Sequence, residues 1–266
     1  MNGTGKWLSG AAKALYHGAV WLCFLFVTAP SLLMIVVAFN DAEYFSFPLK
    51  GVSMRWFAEM LENSNYRGSV VNSLKLAFYA TALSVLMTLP AALRLYRKKS
   101  RFVETVLLAP LFFPLVIWSL GLLQLYGMFG LSGRFVTLVL AHTVMITPFI
   151  LRVVLQSLRE MNSRLEEAAY SLGAGKWSTF RRVILPIILP GVLVGAVFGY
   201  LISFTDVTLT MFISSSGNTT FPVRVYSEQR SEGLNMVVLA WSAVITLVIF
   251  IISLLGEKFA KWSRYF

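Results

Sequence analysis

Six apolar stretches, near residues 17–40, 70–93, 103–128, 135–155, 183–211 and 236–255, are each long enough to cross a hydrocarbon layer, since about 20 helical residues span a bilayer core of roughly 30 Å. In that solvent every backbone N–H and C=O needs a partner within the protein, so only helices and closed barrels can cross. The short alternating pattern of barrel strands is missing from these stretches. The chain therefore reads as all-α, a polytopic membrane protein with six transmembrane helices. Composition agrees, because 57% hydrophobic residues, 13% charged residues and a mean hydropathy of +0.72 exceed what a soluble core requires. The first stretch is longer than a signal-peptide core and no small-x-small site follows it, which predicts an uncleaved anchor. Residues 1–266 read as a single transmembrane domain with no internal repeat and no soluble appendage.

A net charge of +11 could point to nucleic acid. These charges instead lie between the apolar stretches, so no nucleic-acid partner is expected. Lys6, Lys13, the cluster from Arg94 to Arg101, the loop from Arg152 to Arg182, and Lys258, Lys261 and Arg264 fall on one side of the six spans. The other side holds only Lys50, Arg55, Arg67, Arg134, Arg224 and Arg230. Lysine and arginine mark cytoplasmic loops, so both termini are expected in the cytoplasm. Two longer connections, about 41–69 and 212–235, then lie outside, and a third, about 156–182, lies inside. Met54 to Asn63 predicts a short amphipathic helix with Trp56, Phe57, Met60 and Leu61 on one face.

Catalysis is not expected. Neither Gly5-Lys6 nor Gly175-Lys176 has the upstream glycine and following hydroxyl of a phosphate loop. A lone Cys23 and the separated His17 and His142 build neither a disulfide nor a metal site. Ionisable groups inside spans often mark a transport path, and three occur. Lys75 is near enough to a span end to snorkel. His142 needs a hydrogen-bond partner, as a packing histidine or as part of a path. Asp206 either meets a cationic solute or bonds to a helix end. Together Tyr200, Ser203, Asp206 and His142 are the candidate substrate path. Gly191, Gly195 and Gly199 form a small-residue stripe for close helix packing, within the chain or between subunits. Pro186 and Pro190 remove backbone donors at the start of that span and predict a bend.

The inner loop is the most informative stretch. Ser163 and Glu166 have capping-box spacing, and Gly173 suits the left-handed conformation that closes a helix. Ala168 and Ala169 give a smooth patch that can sit in a partner's groove. Glu167, Ala168, Ala169, Gly173, Leu185 and Pro186 fall at the spacing E-A-A, three residues, G, nine residues, I-x-L-P, with Val183 in place of isoleucine. This stretch resembles the coupling loop of binding-protein-dependent ABC importer permeases, and the chain is similar to that family in its six spans and inward termini. The resemblance implies a type I ABC importer permease fold. It also implies that the loop docks on a separate ATPase, with Glu167 as its charged contact. The expected partners are two ATP-binding subunits, a second permease chain and a periplasmic or extracellular solute-binding protein, in the bacterial inner membrane. This chain would bind no cofactor; ATP and Mg would belong to the ATPase.

The segment from Ala141 to Arg152, with Ser203 to Asp206 and Gly217 to Pro222, is similar to the spermidine/putrescine permease branch and, less closely, to ferric-iron and aminoethylphosphonate permeases. That resemblance implies a polyamine or similar amino-bearing solute and a heterodimer of two permease chains. The rival reading is a membrane channel or scaffold subunit outside the ABC class, whose cytosolic helix binds a regulator.

Overall fold

The computed structural model describes residues 10–46, 48–231, 233 and 235–260. Among these the regular structure is helical, and the β contacts are two isolated bridges, Asn40 with Val52 and Tyr44 with Asn235. The chain divides into two compact units, residues 1–63 with 232–250 and residues 64–231 with 251–266. Lys6, Lys261 and Arg264, used above to orient the chain, lie outside the described residues.

The first unit contains α1 (Gly10–Val37), α2 (Arg55–Glu62) and most of α12 (Met236–Ala260). Between α1 and α2 the loop is organised by Asn40, which is fully buried. Its amide donates to the Ser46 carbonyl at 3.0 Å, its side-chain oxygen accepts from the Lys50 N–H at 3.0 Å, and its own carbonyl accepts from the Trp56 indole at 2.8 Å. One side chain thereby supplies the hydrogen bonds that an irregular backbone cannot make for itself. In α2 the indole and Met60 are buried, whereas Leu61 is exposed, so the apolar face is narrower than expected.

The second unit is built on α3 (Ser64–Arg97), α6 (Phe135–Glu160) and α9 (Leu185–Thr205), which pack on one another. Ile146, Ile150, Val154, Leu158, Ile184 and Ile188 form the centre of its larger apolar cluster. Ser84 of α3 bonds Thr147 of α6 at 2.8 Å, a hydroxyl bridge in a region where water is not available to compete. The glycine stripe of α9 faces α6. An added Cβ at Gly195 would stand 3.5 Å from the Ile150 Cα and carbonyl oxygen, and one at Gly199 would meet the Ile150 Cδ1 at 2.7 Å.

The third apolar stretch is not the continuous span expected. α4 (Arg101–Leu108) runs through a short 3-10 turn, Ala109–Phe112, and is bent by 98° from α5 (Leu115–Met128). Pro114 explains the break, since it removes a donor and drives the residue before it to extended backbone, whereas Ala109 before Pro110 stays right-handed helical in the 3-10 turn. Phe113 is extended, at φ −87 and ψ 134. Counting the bent pair as one span, the described residues hold six segments long and apolar enough to cross a membrane.

Substituting Gly195 with leucine is expected to force α6 and α9 apart against the Ile150 backbone and to cost about 1–3 kcal/mol. Alanine at the same position fits at ordinary contact distance. Unfolding midpoints in mild detergent check this: similar midpoints for Gly195→Leu and Gly195→Ala would contradict the packing.

Candidate functional site

The loop after α6 forms α7 (Ser163–Ser171). Its N-cap is Asn162, one residue earlier than the capping box predicts. The Asn162 side chain accepts from the Arg164 N–H at 3.0 Å. Glu166 therefore does not turn back to a backbone amide. Its carboxylate accepts from the Arg97 guanidinium of α3 at 2.7 Å, a charge-assisted bond stronger than a neutral one. Tyr170, one turn on, donates to the same carboxylate oxygen at 3.1 Å and accepts from Arg97 at 3.3 Å. Desolvation, and then the bond to Glu166, push the Tyr170 hydroxyl above its ordinary pKa, so it remains a phenol donor near neutrality.

The helix closes as its glycine demands. Gly173 adopts φ +82, with its N–H bonded to the Tyr170 carbonyl and the Ala174 N–H to the Ala169 carbonyl. None of α7 is buried. Glu167, Ala168 and Gly173 are exposed, Ala169 is half-buried, and Leu172 and Trp177 are 88% and 71% exposed. Glu166 and Glu167 thus divide their work: the first faces the membrane helices, and the second is left for whatever covers this surface. The chain continues through α8 (Lys176–Thr179) and a π-helical stretch, Phe180–Ile184, into α9. Ile184 is fully buried in the core cluster, Leu185 is half-buried and Pro186 exposed. The π-helical turn ends two residues before Pro186, and Lys176–Thr205 runs through both prolines as one span.

At the other end of α9 the span expected to reach residue 211 stops at Thr205 and resumes as α10 (Thr208–Ile213). The break is held by side chains. Asp206 accepts from the Leu209 N–H at 3.4 Å, from the Thr210 N–H at 2.9 Å and from the Thr210 hydroxyl at 3.1 Å. His142, fully buried on α6, lies 2.8 Å from the Ser203 hydroxyl through Nδ1 and 3.0 Å from the Thr210 hydroxyl through Nε2. Because Thr210 gives its hydrogen to Asp206, Nε2 carries the imidazole proton and Nδ1 accepts from Ser203. Of the two roles open to Asp206, the one seen is the bond to a helix end. Three of the four candidate path residues are brought together; Tyr200 is not among them. It stacks on Phe204 and lines an apolar cavity of about 520 Å³ with Phe78, Val85 and Leu193. Thr210, which completes the network, was not anticipated.

α3 is also fastened at its first turns. Tyr66 donates to Glu228 of α11 (Phe221–Ser231). The Asn72 amide donates to the Gly217 and Thr219 carbonyls at 3.3 and 3.2 Å, and the Ser73 hydroxyl accepts from the Phe221 N–H at 2.9 Å. Lys75 is exposed beside this junction, consistent with an interfacial lysine.

A family model described as "Binding-protein-dependent transport system inner membrane component" matches residues 80–264. The spermidine/putrescine transport system permease protein PotC of Haemophilus influenzae is 28% identical over 216 residues, covering 80% of this chain and 84% of that protein. The putrescine transport system permease protein PotI of Escherichia coli is 30% identical over 251 residues, covering 91% of this chain and 87% of that protein. Among solved structures, a chain of a bacterial ABC transporter involved in the import of the acidic polysaccharide alginate superposes with a TM-score of 0.72 at 13% identity, covering 95% of this chain and 99% of that chain. At that identity the likeness speaks for the fold alone.

Replacing Asp206 with alanine is expected to cost about 1–3 kcal/mol, because the Thr210 amide and hydroxyl lose their buried acceptor. His142→Ala should cost a similar amount. The double variant should cost less than the sum, since both belong to one network. Strictly additive shifts of the unfolding midpoint would show that the two side chains act separately.

Proposed function

Because the chain belongs to the family of inner membrane components of binding-protein-dependent transport systems, and is thus the permease of an ABC importer, we propose that it forms half of the translocation path of a polyamine importer driven through α7 by a separate ATPase. The observation that carries the coupling role is the exposed surface of α7. A cytosolic helix that buries none of its residues, carries exposed Ala168 next to Glu167 and ends at exposed Leu172 leaves apolar area uncovered. Burying a side chain as exposed as Leu172 contributes about 1.5–3 kcal/mol, so a groove that accepts this helix gains affinity from its apolar side and register from the carboxylate. Glu167, Ala168 and Ala169 make the docking face. Gly173 sets the turn, and Leu185 and Pro186 join the loop to α9.

In this reading both termini and α7 face the cytoplasm, which the lysine and arginine distribution supports. Two ATP-binding subunits hold ATP and Mg, which this chain does not. A second, different permease completes the path, and a solute-binding protein delivers cargo to the outer loops. Nucleotide closure pulls the paired α7 helices together, and rigid-body movement alternates access between the two sides. The π-helical turn at Phe180–Ile184 gives α9 a place to yield.

The solute assignment rests on the polyamine permeases PotC and PotI. We place the solute path along α9, with Tyr200 reaching it and Ser203, Asp206 and His142 shaping the break beyond. Both carboxylate oxygens of Asp206 are occupied, so a cationic solute would engage this acid only when the α10 cap opens.

Two measurements test the reading. Purified in mild detergent from its native membrane, the wild-type chain is expected to bring an ATPase and a second permease with it, whereas Glu167→Arg and Leu172→Asp lose the ATPase. Retention in both variants would remove α7 from the docking surface. Uptake of labelled spermidine or putrescine by cells carrying the intact transporter, and its loss in Glu167→Arg, supports the solute class; equal uptake with and without the transporter rules it out.

A further inference from the structure

The reading of α7 as the ATPase contact leaves open how a helix with no buried residue passes force to the membrane helices. Its two chain ends both leave the helical path. One follows the extended Met161 backbone, and the other runs through left-handed Gly173. The side-chain connection is different. Glu166 and Tyr170 lie one turn apart on α7 and both bond the Arg97 guanidinium at the last turn of α3, with Glu166 only 13% exposed. Three mutually bonded groups fix distance and rotation, where a single ion pair would fix only distance. α3 then runs as one helix of 34 residues, with Pro90 inside it two turns from Arg97, about 50 Å at 1.5 Å per residue. At its far end Tyr66, Asn72 and Ser73 hold the segment from Gly217 to Glu228 by four hydrogen bonds.

We propose that α3 is the strut of the transporter: the Arg97–Glu166–Tyr170 bracket makes it move with the coupling helix, and its opposite end carries that movement to the segment containing α11. Arg97 and Glu166 are positioning residues, distinct from the docking face of Glu167, Ala168 and Ala169 and from exposed Leu172 at the helix end. The inference rests on α7 being the ATPase contact. The bracket is partly open to solvent, which suits a joint that must rotate; a wholly buried ion pair would be costly to disturb.

The test reads the far end of α3 while the near end is altered. A spin label is placed at exposed Gln229 of α11 through Gln229→Cys, in a Cys23→Ser background, within the complex purified from its native membrane. Its spectrum is compared in the nucleotide-free and Mg-ADP-vanadate-trapped states. The wild-type bracket is expected to give a change on trapping that is lost in Arg97→Gln and in Glu166→Gln, with the ATPase still co-purifying and hydrolysing ATP in both. The exchanged pair Arg97→Glu with Glu166→Arg should recover the change, which a merely structural role would not produce. A full response in either single variant, no recovery in the exchanged pair, or dissociation of the ATPase from the single variants each overturns the strut. Absence of any ATPase from the wild-type complex overturns instead the assignment of α7, so the two failures are distinguishable.

Discussion

A hydrocarbon solvent leaves no backbone amide to be satisfied by water, and the second unit is arranged around that constraint. Uninterrupted helices meet it automatically. Interruptions do not, and each one here is accompanied by its own solution. At the 98° bend between α4 and α5 Pro114 has no N–H to satisfy. At the gap between α9 and α10 Asp206 receives the amides of the next turn, and His142 joins that acid's partner to Ser203. The same logic turns α9 towards α6 with its glycines inward, where backbone lies close to backbone and dispersion replaces the hydrophobic drive that lipid does not supply.

Outside the lipid the chemistry reverses. α7 is polar, short and unburied, and it is held in place by charge and by chain geometry. Its sequence assigns neighbouring glutamates to opposite duties. Glu166 is consumed by Arg97 and Tyr170, and Glu167 is presented outward. An exposed helix with little intrinsic stability is suited to be completed by another protein, because a partner supplies the burial that the isolated helix lacks.

The helical architecture was legible because span length and apolarity are local properties, and the left-handed turn at Gly173 was legible because only one residue type occupies it readily. The bend in the third stretch was also written in Pro114, yet hydropathy averaging conceals it. What could not be read was pairing across distance. Arg97 and Glu166 are 69 positions apart, and His142 and Thr210 are separated by 68. Glu166 matched a capping box by spacing, and Asn162 displaced it because a charged partner from another helix was within reach. Tyr200, grouped by sequence with Ser203 and Asp206, lines an apolar cavity instead, although Ser203 is only three residues on; Ser203 is engaged by His142 of α6, and Asp206 lies beyond the end of the helix.

The contact of Gly195 and Gly199 with Ile150 means that these two positions of the α9 stripe are used up inside the chain. In the proposed heterodimer, recognition of the second permease therefore falls to other surfaces. A cell holding several related permeases can diversify those surfaces to prevent mispairing while the α6–α9 contact stays fixed. Divergence between paralogues should accumulate on faces that pack nothing within their own chain, and a hybrid carrying one permease's interior under another's exterior would follow the exterior in its choice of mate.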